Sequence, residues 1–94
     1  MNIFYYKTGE LIIDCKKYEL SPYETKILFV LMNNRINTYE EIYNYLYDTD
    51  VKGKIDRNLI RCITAHICRM RKKGLHIQVK YDFGMRLLDK ICLQ

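Results

Sequence analysis

Ile60, Ile63, Ile67 and Met70 recur at the spacing of a single helical stripe, and the residues between them make the other side of that helix cationic. At about 100° per residue the apolar stripe must pack against a core. Arg61, Ala65, Cys68 and Lys72 then fall on the far side, with Thr64 and Arg69 flanking them. A merely solvated helix mixes Glu with its Lys and Arg. Here no acidic residue occurs from Arg57 to Lys80. One face is committed to a core and the other to a polyanion, and few folds satisfy both.

The remaining composition narrows the choice. Ninety-four residues suffice for one domain with one modest core. A hydrophobic content of 49% beside 29% charged residues is that of a globular chain and argues against disorder. The net charge is +5 and the pI near 9.0. Its distribution matters more than its total, because Glu10, Asp14, Glu19, Glu24, Glu40, Glu41, Asp48 and Asp50 all lie in the first fifty residues. The positive excess is therefore C-terminal. Cys15, Cys62, Cys68 and Cys92 form an even set, but without a signal peptide or a dense cysteine pattern they read as free thiols. No apolar run reaches the length of a membrane span. A cytoplasmic protein, nucleoid-associated if bacterial, is the expectation.

Along the chain, Ile3–Tyr6, Leu11–Ile13 and Lys17–Leu20 read as short strands separated by turns. Ser21-Pro22-Tyr23-Glu24 is a helix start, with serine as N-cap, proline at the first helical position and glutamate completing a capping box. That helix carries Ile27, Leu28, Leu31 and Met32 and stops at Asn33-Asn34. Thr38 and Glu41 repeat the signal for a second helix that ends near Tyr47-Asp48. A polar loop follows over 48–54. The third helix runs from about Asp56 to Lys73 and is stopped by Gly74. Ile77–Tyr81 and Met85–Leu88 read as a hairpin around Asp82-Phe83-Gly84. The predicted order is three strands, three helices and two strands, in one domain over 1–94: N-terminal strands 1–20, helices 21–74, wing 75–89. Three helices followed by a hairpin, the third helix basic outside, is the plan of an α+β winged helix-turn-helix with a short N-terminal antiparallel sheet.

At this point the residues resemble the effector domain of OmpR/PhoB-type response regulators, here without a receiver domain. The family's third helix reads R-x-V-D-V-H-I-x-R-L-R-x-K, and the matching run is Arg61-Cys62-Ile63-Thr64-Ala65-His66-Ile67-Cys68-Arg69-Met70-Arg71-Lys72-Lys73. Its first helix opens L-T-x-x-E-x-x-L-L, matched by Leu20-Ser21-Pro22-Tyr23-Glu24-Thr25-Lys26-Ile27-Leu28. Tyr47 stands where the family commonly has tryptophan, and Gly84-Met85-Arg86-Leu87 matches its G-Y-R-L wing strand. The resemblance spans roughly residues 10 to 88. Thr64 replaces the family's acid and Cys68 a polar or basic residue, which implies a different base preference. The wing turn is one residue longer and lacks its first glycine. The family's N-terminal sheet often has four strands, where three are legible here.

What the resemblance implies is sequence-specific binding to double-stranded DNA and transcriptional regulation. Carried over by position, Arg61, Thr64, Ala65, Cys68 and Arg69 face the major groove, where small residues permit close approach and arginine reads guanine. His66 and Arg71 lie near phosphates, Lys72 serves either role, and Lys80 on the wing enters the minor groove. A second copy on adjacent half-sites and RNA polymerase are the further candidate partners. The bland reading of the same residues is a solvated basic face and a hairpin closure. The competing function is a protein-binding winged helix, an adaptor or inhibitor of a transcription factor or polymerase. Cys62 and His66, spaced i, i+4, with Cys68 and His76 nearby, raise a zinc site, but the spacing is not that of a metal motif and Cys68 points away from the pair. No cofactor is expected. Glu40-Glu41 suit helix capping better than acid–base chemistry, and no catalytic motif is present. The expectation is a chain that pairs on DNA; were a dimer to form in free solution, the N-terminal strands would be its surface, since Phe4, Tyr5 and Tyr6 exceed what three short strands can bury.

Overall fold

Residues 11–20 turn on themselves before any helix begins, and the turn has a specific cause. Glu10–Ile13 (β2) and Lys16–Glu19 (β3) pair antiparallel with Ile13 opposite Lys16, so only Asp14 and Cys15 remain to reverse the chain. Both take left-handed backbone, φ 50° and 67°, the geometry that matches the twist of a two-residue hairpin. The computed structural model describes residues 2–50, 56–80 and 83–94 of the chain. Ile3–Tyr5 (β1) pairs antiparallel with β2 and extends the sheet.

Pro22–Leu31 (α1) starts with the capping box read in the sequence: Glu24 N–H donates to Ser21 Oγ at 3.2 Å and Ser21 N–H to Glu24 Oε1 at 3.0 Å. Tyr39–Tyr47 (α2) repeats it through Thr38 and Glu41. Arg57–Lys72 (α3) is capped by Asp56, which accepts from Asn58 N–H at 3.1 Å. Between α1 and α2, Asn37–Thr38 forms a two-residue strand (β4) that the sequence reading did not include. Ile77–Lys80 (β5) and Gly84–Leu87 (β6) make the expected hairpin, and β4 joins it to give the order β4-β6-β5. The polar loop expected over 48–54 lies in part, and the wing turn around Asp82 in part, outside the described residues.

The largest difference from expectation lies at the end of the chain. Cys92–Leu93 (β7) returns to pair parallel with β1, giving the sheet order β3-β2-β1-β7. Cys92 N–H donates to Asn2 O and Gln94 N–H to Phe4 O, each at 2.9 Å. The fourth strand therefore comes from the C-terminus. The aromatic excess expected at the N-terminus is also absorbed in part. Phe4 is fully buried, and Tyr6 packs on Phe29 with ring centroids 4.3 Å apart, its hydroxyl 3.5 Å from that of Tyr45. The added strand and Phe29 of α1 thus take up part of the aromatic surface, leaving Tyr5 and Tyr6 half-buried.

One core serves all elements. Phe4, Leu11 and Ile13 of the sheet meet Ile27, Leu28 and Leu31 of α1, Ile42 and Leu46 of α2, and Ile63, Ile67 and Met70 of α3. Met85 and Leu87 join from the wing. Gly84 sits so close to β4 that a Cβ there would meet Asn37 O at 2.0 Å, so only glycine permits this strand contact. Asn34, left-handed at φ 57°, ends α1 and donates to Leu87 O and Asp89 O, fixing the helix to the end of β6.

The two ends of the helical unit are locked by charge. Glu24 is 3% exposed, and its carboxylate receives the Lys73 ammonium at 3.1 and 3.2 Å; Lys73 also donates to Glu19 O at 3.0 Å. Burial alone would raise the Glu24 pKa, but the Ser21 hydrogen bonds and Lys73 outweigh it and hold the value below the ordinary 4.5. A lowered folded pKa contributes stability that is present above the ordinary value and lost as pH falls through the folded one.

Lys73→Ala should therefore cost roughly 2–3 kcal/mol, because it strands a buried carboxylate. Glu24→Gln should flatten the acid limb of a urea-denaturation series run from about pH 6 to 2.5; an acid limb as steep as wild type would mean the carboxylate is not held as described. At the hairpin, Cys15→Gly should raise stability by about 1 kcal/mol, since glycine adopts the left-handed region without the Cβ penalty. The same denaturation midpoint reads it, and a lower midpoint would contradict the turn geometry.

Candidate nucleic-acid interface

The contacts that fix α3 also decide which of its sides is free. Ile63, Ile67 and Met70 are fully buried, Ile60 half-buried, and Lys73 is drawn to Glu24. Arg61, Ala65, Cys68, Arg69 and Lys72 are exposed together on the opposite side, with Thr64 half-buried at the margin. Among the described residues no ion pair involves Arg61, Arg69, Arg71, Lys72 or Lys80. The face carries uncompensated positive charge, while the acids pair elsewhere: Glu10 with Lys17, Glu41 with Arg35, Asp89 with His76.

The site residues expected from sequence do not all stand in the same condition. Arg61, Ala65, Cys68 and Lys72 project with no side-chain hydrogen bond or ion pair among the described residues and form the central strip. Thr64 Oγ donates back into the helix, toward Ile60 O at 2.8 Å and Arg61 O at 3.0 Å. Arg71 leaves the strip: its guanidinium donates to Ile77 O through Nε at 3.2 Å and Nη2 at 2.5 Å. It thereby ties the last turn of α3 to the first residue of β5, a role that spacing along the helix does not reveal. Lys80 ends β5, exposed, opposite Gly84 and beside the wing turn. Arg86, opposite Gln78 in the same hairpin, has a buried Nε with no hydrogen-bond partner among the described residues.

His66 lies at the edge of the strip and is half-buried. Its ring packs on Tyr23 of α1, centroids 5.5 Å apart, and Tyr23 packs in turn on Tyr47 of α2 at 5.6 Å. Arg69 Nη2 is 2.6 Å from His66 Nδ1. Burial lowers the His66 pKa from its ordinary 6.5, and the Arg69 charge lowers it further against an opposing pull from Glu24. Burial also raises the Tyr47 pKa, with Tyr23, Cys62 and Tyr43 adding to it. The sequence reading missed Tyr23, whose position inside a capping box explains it without any contact to α3.

Cys62, His66, Cys68 and His76 are not gathered into one set. His76 is held by Asp89, with Nδ1 to Oδ1 at 2.8 Å, and His66 is engaged by Arg69. Among the described residues no three His, Cys, Asp or Glu side chains converge as metal ligands. Cys15, Cys62, Cys68 and Cys92 are free and exposed. No helix among the described residues is long and apolar enough to cross a membrane.

No protein-family model matches the sequence, and no curated protein matches it. The structure is similar to the crystal structure of the DNA-binding domain of Bacillus subtilis CssR. The TM-score is 0.74 at 18% sequence identity, over 94% of this chain and 100% of that one. At that identity the likeness establishes a shared fold, and it is the winged-helix fold that the OmpR/PhoB-type resemblance implies.

Proposed function

We propose that this chain binds double-stranded DNA in a sequence-dependent way and regulates transcription, with α3 in the major groove and the β5–β6 wing beside it. The observation that carries the reading is the exposed strip of Arg61, Arg69 and Lys72, none of them in an ion pair among the described residues, on a helix that buries Ile63, Ile67 and Met70 on its opposite side. The shared fold with the CssR DNA-binding domain supports it. Arg61, Thr64, Ala65, Cys68 and Arg69 face base edges, and the small side chains at 65 and 68 allow close approach. Lys72 meets bases or phosphates. His66 keeps a ring nitrogen for a phosphate. Arg71 approaches the backbone while holding the wing. Lys80 meets the minor groove, where basic groups are drawn by the negative potential. One domain of this size covers little DNA, so specific binding takes two copies on adjacent half-sites.

Arg61→Ala and Arg69→Ala should each cost about 1–3 kcal/mol of affinity for a duplex enriched from random sequence, with melting temperature nearly unchanged. Wild-type affinity in both variants would remove α3 as the reading element. Affinity should also fall steeply with salt, with a log–log slope of roughly −3 to −6 per pair of domains, as phosphate contacts release counterions. If titration at low salt detects no duplex binding, the reading gives way to a protein-binding winged helix.

A further inference from the structure

Arginine is a demanding reader of guanine, because its long side chain must be held in one orientation to present two parallel donors. On the exposed face of α3, Arg61 and Lys72 have no such support, whereas Arg69 does. Its Nη2 lies 2.6 Å from His66 Nδ1, and the imidazole is itself wedged against Tyr23, whose ring rests on Tyr47, which packs on Tyr43 at 4.8 Å. A line of aromatic rings from α2 through α1 thus ends on the side chain that holds Arg69.

We propose that His66 and Tyr23 are positioning residues for Arg69: a neutral imidazole, braced by Tyr23, accepts from the guanidinium and fixes it for base reading, so that sequence preference fails when the imidazole is protonated. The inference rests on the DNA-binding reading above and adds the regulation of its site by pH. The geometry fixes the chemistry. An arginine has no acceptor, so Nδ1 must carry the lone pair and Nε2 the proton. One bond at Nη2 leaves the other guanidinium N–H groups free for a base. Nε2–H remains available to a phosphate oxygen. Protonation turns Nδ1 into a donor, cancels the bond and sets two cations side by side.

Tyr23 and Glu24 approach the His66 ring from α1, Tyr47 from α2 behind Tyr23, and Arg69 and Cys62 belong to α3. Ser21 and Lys73 hold the Glu24 carboxyl below its ordinary 4.5, so it stays ionised, and burial raises the Tyr47 phenol above its ordinary 10.0, so it stays uncharged. The imidazole, its pKa lowered by burial and by Arg69, is neutral at pH 7 and takes up its proton only below its ordinary 6.5. A charged His66 attracts phosphates of any sequence, so weak general binding should hold or rise while preference falls.

The test compares affinity for the enriched duplex with that for a random duplex of equal length. In wild type the ratio should drop about three- to tenfold from pH 7.5 to a pH below the His66 midpoint read by NMR, as an oriented side chain becomes a free one. His66→Phe keeps the stack without the acceptor and should show a low, pH-independent ratio. Tyr23→Phe should behave as wild type and Tyr23→Ala as His66→Phe. Tyr23 is 41% exposed, so both of its variants should fold, which melting checks. A wild-type ratio flat in pH, or a Tyr23→Ala ratio equal to wild type, overturns the proposal. The contact is read independently by NMR titration of the His66 ring in the DNA-free chain. Its midpoint should lie below 6.5 and rise in Arg69→Ala. An unchanged midpoint overturns the proposal whatever the DNA result. A lowered midpoint in a chain that binds no duplex overturns the DNA-binding reading instead.

Discussion

Glu24 holds three separate requirements in one carboxylate. It closes the capping box that starts α1, it neutralises the ammonium of Lys73 at the end of α3, and it does so while 3% exposed. A buried carboxylate is tolerated only when its charge and lone pairs are satisfied, so the start of one helix and the end of another become mutually dependent. The crossing of α1 and α3 that follows buries Ile63, Ile67 and Met70 and leaves the arginines of α3 facing out. The exposed strip exists because the charge next to it in sequence, Lys73, is spent inside.

The same division separates exposed charge from structural charge along a run that looks uniform in one dimension. Arg69, Arg71, Lys72 and Lys73 are four cations within five residues, yet each meets something different: an imidazole, a backbone carbonyl of the wing, open solvent and a buried carboxylate. Charge density alone describes attraction to a polyanion. Specific reading depends on which of those charges are free, and only the fold distributes them.

Legibility in the sequence followed the range of the interaction. Both capping boxes, the apolar stripe of α3, the hairpin of the wing and the winged-helix plan were readable, because each is encoded within a few neighbouring residues. The face of α3 was readable for the same reason. β4 was not, being two residues long and defined by its approach to Gly84. β7 was not, since its pairing joins Ile3 to Cys92 and no local pattern marks Cys92-Leu93 as a strand. The excess of aromatics at Phe4-Tyr5-Tyr6 is legible, but not its cover, because Phe29 of α1 and the last strand reach it only through the fold. Arg71 and Tyr23 escaped because their partners, Ile77 and His66, sit on other elements and meet them only after the helices have crossed.

The parallel pairing of β1 with β7 has a consequence for the order of assembly. The first strand cannot gain its outer neighbour until residues 92 and 93 have been made, although its inner neighbour, β2, follows within a few residues. Such a closure between distant segments is entropically late and slow relative to the hairpins and helices. During synthesis the helical core can form while one edge of the N-terminal sheet stays open. That edge is where a nascent chain is exposed to strand exchange with another, and completion of the last strand ends the exposure.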